Sequence, residues 1–170
     1  DLFFRRVRKL YTKGIFALVV FIFCAALVKE VRSLSSGAPP GFTGSYGDGY
    51  AACDVCHTGP APIPVAGWIT SNIPVSGYTP GNTYTITAQA SGLGHDKFGF
   101  EISPMDSLGQ LIGTLISTSA ETGLVGSGTY ITHTASGNSG LNSKVWTFDW
   151  TAPAPGNGNV TFFGAFNVTD

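Results

Sequence analysis

Cys53, Cys56 and His57 stand in the stretch Tyr50-AACDVCHTG-Pro60, two thiols two residues apart with an imidazole directly after the second. Three chemistries use that arrangement. Two thiols can close a tight disulfide in an oxidising compartment, a reading that asks nothing of His57. Zinc needs four ligands, and beyond this triplet the chain offers only His95, His133 and scattered carboxylates, with no second paired motif. Covalent haem uses every element: the thiols add to the two vinyl groups of a porphyrin, and the adjacent histidine supplies the proximal nitrogen to iron. The spacing predicts one haem c on Cys53, Cys56 and His57, with the disulfide and the zinc site as alternatives.

Such residues need elements to hold them. From Trp68 onward, β-rich runs (GWITS, NTYTITAQA, KFGFEIS, QLIGTLIST, GTYITHT, KVWTFDWTA and NVTFFGAFNV) alternate with turn sequences such as TPGN, SGLGHD, SPMDSLG and PAPGNG. Seven strands follow, with no helix signal. Trp146, Phe148 and Trp150 share one face of a strand, as do Phe98, Phe100 and Ile102, and Tyr84, Ile86 and Ala88. Each set is one buried face, so the chain is all-β and predicts an antiparallel two-sheet β-sandwich over 66–170, with an open barrel as the other solution. The aromatic stripe of Trp146, Phe148 and Trp150 reads as core rather than as a carbohydrate platform.

Residues 1–32 have a different character. Arg5, Arg6, Arg8, Lys9 and Lys13 precede the uncharged run GIFALVVFIFCAALV, after which Lys29, Glu30 and Arg32 return the chain to water. Fifteen residues make a helix of about 22 Å, short of the roughly 20 residues that span a bilayer and within the range of a signal-peptide core. Snorkelling of Lys13 and Lys29 lengthens the span, so the segment reads as an uncleaved single-pass anchor with a cytoplasmic N-terminus. Cys24, inside the run, reads as a lipid-facing thiol. Residues 33–65, rich in Gly, Pro and Ser, read as a tether carrying the CxxCH loop close to the membrane, on its periplasmic side.

The segment SSGAPPGFTGSYGDGYAACDVCHTG, with KFGFEISP, LIGTL, TYITHT, WTFDWTAP and GNVTFFGAFN, resembles the bacterial Reelin-type β-sandwich proteins of the choice-of-anchor V domain family over roughly residues 35–170. The resemblance implies a Reelin/Ig-like sandwich with the CxxCH motif at its N-terminal edge. It also singles out one of three candidates for the iron's distal position, the chain departing from the family pattern in carrying the other two, Met105 and His95. His133 falls in a block matching the family and is the first choice, against an ordinary hydrogen-bonded strand histidine. Met105, the single methionine, sits in the turn SPMDSLG and is the alternative; His95, in SGLGHDK, is the third. A five-coordinate iron would instead admit small ligands or peroxide.

The formal net charge of −1, with the basic residues gathered at the N-terminus, excludes a nucleic-acid surface. The carboxylates Asp48, Asp54, Asp96, Glu101, Asp106, Glu121, Asp149 and Asp170 are scattered, with no paired acids, GxSxG or phosphate loop, so the chain reads as an electron carrier rather than a catalyst. The expectation is a monohaem cytochrome c of the cytoplasmic membrane, an electron-transfer subunit of a respiratory or photosynthetic redox complex. The rival is an extracytoplasmic binding or adhesion sandwich stapled by a Cys53–Cys56 disulfide.

Overall fold

The computed structural model describes residues 34–57 and 59–170. Among these residues eight strands form: β1 (Ile69–Ser71), β2 (Thr83–Ser91), β3 (Lys97–Met105), β4 (Thr114–Ser117), β5 (Thr122–Val125), β6 (Tyr130–His133), β7 (Ser143–Thr151) and β8 (Thr161–Thr169). They make two four-stranded antiparallel sheets, ordered β1-β2-β7-β4 and β5-β6-β3-β8. The expected two-sheet sandwich is present. Its eighth strand, β5, has the sequence TGLV, too short and too glycine-rich to alternate visibly. No helix among the described residues is long and apolar enough to cross a membrane, and the anchor expected at 14–28 lies outside them.

The core forms where the alternating faces meet. Ile86, Ala88, Phe148 and Trp150 of the first sheet and Phe98, Phe100 and Ile102 of the second are almost wholly buried. Phe100 sits at the junction, its ring centroid 4.7 Å from that of Trp146 and stacked with Phe148 and Phe166. Both core tryptophans keep a partner for their polar edge: Trp146 Nε1 donates to Gly137 O at 2.7 Å and Trp150 Nε1 to Ile112 O at 3.1 Å. The aromatic stripe is core, as its spacing predicted.

β3 departs from simple alternation. Every residue from Phe98 to Met105 is buried, so its outer face, Gly99, Glu101 and Ser103, is covered as well. The cover is part of the segment read as a flexible tether. Ala38 N–H donates to Thr132 Oγ1 (3.0 Å), Phe42 N–H to Glu101 Oε2 (2.6 Å), and the Tyr46 ring meets Phe163 edge-on. Within this segment Thr43 and Ser45 are themselves buried, with 2% and 0% of their surface exposed. This strap is held by hydroxyls and backbone groups, and so carries none of the apolar periodicity that would mark packed chain in a sequence. Gly37, at φ +119°, lets it turn against β6: a Cβ there would lie 2.6 Å from His133 O.

Candidate functional site: the CDVCH turn on the second sheet

The strap ends in the CxxCH motif. Cys53–Val55 form one turn of 3-10 helix, and the chain continues helically, with Cys56 N–H donating to Cys53 O at 3.2 Å and His57 N–H to the same oxygen at 2.9 Å. Positions i, i+3 and i+4 of such a turn point to one side. Cys53, Cys56 and His57 stand at those positions, within one turn of chain.

The turn packs beside β8. His57 Nδ1 lies 3.5 Å from the Asn167 side-chain amide. Asn167 is the Cα partner of Gly99 on β3, and over Gly99 lies the imidazole of His133. The two histidines thus stand over directly opposed residues of neighbouring strands. His57 is near enough to His133 for its charge to oppose protonation of that ring, though burial is the larger cause of the lowered His133 pKa.

His133 is buried, at 8% exposure, and its ring substitutes for part of the sheet. The β3–β6 ladder stops at Glu101–Thr132, and beyond it Phe100 N–H donates to His133 Nδ1 at 3.2 Å. That bond places the hydrogen of the neutral ring on Nε2. To offer Nε2 to a metal, the ring must carry its hydrogen on Nδ1, where Phe100 O, 3.4 Å away, stands ready to accept it. His133 is therefore neither a solvated surface histidine nor an idle one. Gly99 makes its position possible, because a Cβ there would come within 2.7 Å of Cε1 and 3.2 Å of Nδ1. Gly99→Ala is expected to displace the imidazole from Phe100 N–H and destabilise the domain by about 1–3 kcal/mol, read by urea unfolding. An unchanged unfolding midpoint would show that the ring yields freely.

The other two distal candidates are elsewhere. Met105 is the last residue of β3 rather than part of a turn, is 1% exposed, and has its sulfur against Gly47. Six residues of strand, about 20 Å, separate it from Gly99. His95 pairs with Asp170 through Nδ1 at 2.9 Å at the exposed end of the sheet. Of the three, the structure brings only His133 to the turn.

The two thiols are free and differ in setting. Cys56 is exposed. Cys53 is half-buried, and desolvation, aided by the charge of Glu101, pushes its thiol up to about 11. Glu101 lies under the strap at 1% exposure; burial, with a smaller push from Asp48, raises its carboxyl to about 7. Its Oε2 accepts Phe42 N–H, while Oε1 is buried with no hydrogen-bond partner among the described residues. Asp48 is fully engaged: Oδ2 accepts from Thr43 N–H and Oγ1, and Oδ1 from Tyr130 O–H at 2.7 Å. That bond and burial raise the Tyr130 pKa, burial more. The acids read as scattered thus include a neighbouring pair, Asp48 and Glu101, joined by the fold. Glu101 occupies an outward position of an alternating strand, which a sequence pattern assigns to solvent.

The donor types suit a covalent haem: two thiols and an imidazole within one turn. As placed, the Asn167 amide nitrogen faces His57 Nδ1, which makes Nδ1 the acceptor and puts the hydrogen of the neutral ring on Nε2. Among the described residues no three or more His, Cys, Asp and Glu side chains gather to hold a metal ion.

No protein-family model matches the sequence, and no curated protein matches it. Among solved structures the chain is similar to the human F-spondin reeler domain, at 17% identity over 61% of this chain and 78% of that one, with a TM-score of 0.47. It is also similar to the Reelin-N domain of F-spondin, at 18% identity over 61% of this chain and 72% of that one, with a TM-score of 0.45.

Proposed function

We propose that this β-sandwich is an extracytoplasmic carrier of single electrons, with one haem c attached through Cys53 and Cys56 and ligated by His57. The observation that carries this reading is the single turn that holds both thiols and His57, set beside Asn167. When bound, haem would supply a one-electron change at its iron. The chain's own residues bind, orient and shield. A half-turn of the Asn167 amide puts Oδ1 in place to accept Nδ1–H of His57, which fixes the ring and raises the basicity of Nε2. His133 would be the second imidazole to hold the iron in this reading, with its hydrogen on Nδ1 so that Phe100 O accepts it. The sandwich core beneath, rigid and apolar around Phe100, limits rearrangement of both histidines as charge comes and goes.

An anchor at 14–28 would keep such a carrier at the cytoplasmic membrane with its sandwich in the periplasm, where its partners are other subunits of a membrane redox complex. No separate catalytic site is part of this reading.

A second reading rests on the sandwich itself. Its core is built from side chains of the two facing sheets, and Cys53 and Cys56, two residues apart, are the pair a stapling disulfide would use. One measurement separates the two. Purified from a host competent for cytochrome c maturation, the protein should show sharp c-type absorption bands on reduction with dithionite. A featureless visible spectrum from that host leaves the binding module.

A further inference from the structure

We propose that Glu101 takes up a proton when an electron arrives at the CDVCH turn and releases it when the electron leaves, making the chain a proton-coupled carrier; this rests on the haem reading above. The geometry is that of a buried acid with no cation bonded to it among the described residues. Glu101 is at mid-strand on the outer face of β3, beneath the strap, with Oε2 tied to Phe42 N–H and Oε1 without a partner among the described residues. It hydrogen-bonds to neither His57 nor His133.

The groups that face it come from three elements. The strap contributes Asp48, the 3-10 turn Cys53, and β6 Tyr130, whose hydroxyl is committed to Asp48. The uncharged sequence of β8, TFFGAFNVT, adds no titratable group. Among the described residues the two lysines are engaged elsewhere: Lys97 bonds to Ser139 and Lys144 to Glu121. An acid so isolated responds to any charge that changes nearby, because little dielectric or counter-charge stands between them. Cys53 is the link, since the Glu101 carboxylate already acts on its thiol and that sulfur would carry the porphyrin edge.

The balance is simple. A one-electron donor reduces the iron from the ferric to the ferrous state, one positive charge is lost beside Cys53, and the Glu101 carboxylate takes one proton from solvent to become the carboxylic acid. Oxidation by a one-electron acceptor reverses both changes.

The test is spectroelectrochemical titration of the haem-loaded protein from pH 5 to pH 9, with Glu101→Gln alongside. The wild-type midpoint should fall as pH rises around neutrality, approaching about 59 mV per pH unit at most, and that of the variant should stay flat. Reduced-minus-oxidised infrared spectra of the wild type should show a carbonyl stretch of a protonated carboxyl that Glu101→Gln lacks, a readout that needs no potential. A flat wild-type midpoint, or a slope retained in Glu101→Gln, overturns the proposal and leaves the haem reading intact. A protein that never acquires haem overturns both.

Discussion

Serine at both Cys53 and Cys56 should yield a folded chain from which every trace of covalent haem is lost. The expected readout is haem stain after denaturing electrophoresis, positive for the wild type and blank for the double variant. Single variants should keep one thioether and one free vinyl group, so their reduced bands move to longer wavelength as the vinyl stays conjugated with the ring. Folding should survive, because Cys56 is exposed and Cys53 sits at the margin of the strap, away from the sandwich core. His57→Ala should keep the thioethers and lose the proximal ligand, changing the spectrum without abolishing the stain. Stain retained by the double variant would show attachment through some other group, and the role of the turn would fail.

The second large effect concerns the unloaded chain and pH. The Glu101 carboxyl is raised from 4.5 to about 7 on folding, so the folded state holds a proton that the unfolded state releases between those values. A raised carboxyl favours folding fully below about 4.5, and that contribution is lost as pH rises through about 7. The whole swing is about 3 kcal/mol, at 1.36 kcal/mol per pH unit. Glutamine cannot ionise, yet its side-chain oxygen can still accept Phe42 N–H. Urea unfolding at pH 5 and pH 8 should therefore show the wild type losing stability at the higher pH by roughly that swing more than Glu101→Gln. Equal losses in the two proteins would show that solvent reaches Glu101 and that the strap does not seal it.

Much of the scaffold was legible in the sequence because strand burial writes a period of two. Tyr84, Ile86 and Ala88, Phe98, Phe100 and Ile102, and Trp146, Phe148 and Trp150 all point inward as their spacing required. The pattern failed where burial came from something other than a sheet face. β5 is four residues long, and residues 37–52 cover β3 through hydroxyl and backbone bonds that no hydropathy pattern records. The outward residues of β3 looked solvated for the same reason, which hid Glu101. Met105 illustrates a boundary effect: SPMDSLG has turn composition, but β3 runs on through Pro104 to Met105 beside β8, and this removes the methionine from the turn.

By itself, the sequence determined the chemistry on offer and the layering of the sandwich. Both are local: the CDVCH spacing puts two thiols and an imidazole within one turn of chain, and alternation along a strand sets which side chains share a core. Only the tertiary structure decided what surrounds that chemistry. Asn167 lies 110 residues from His57, and Thr132, which holds Ala38, lies 94 residues from it. Register between β3 and β8 sets Gly99 opposite Asn167 and so brings His133 to the turn, and the strap's path over β3 isolates Glu101. Pairings of that kind depend on long-range register and on which surface a loop covers, and neither leaves a periodic trace in the chain.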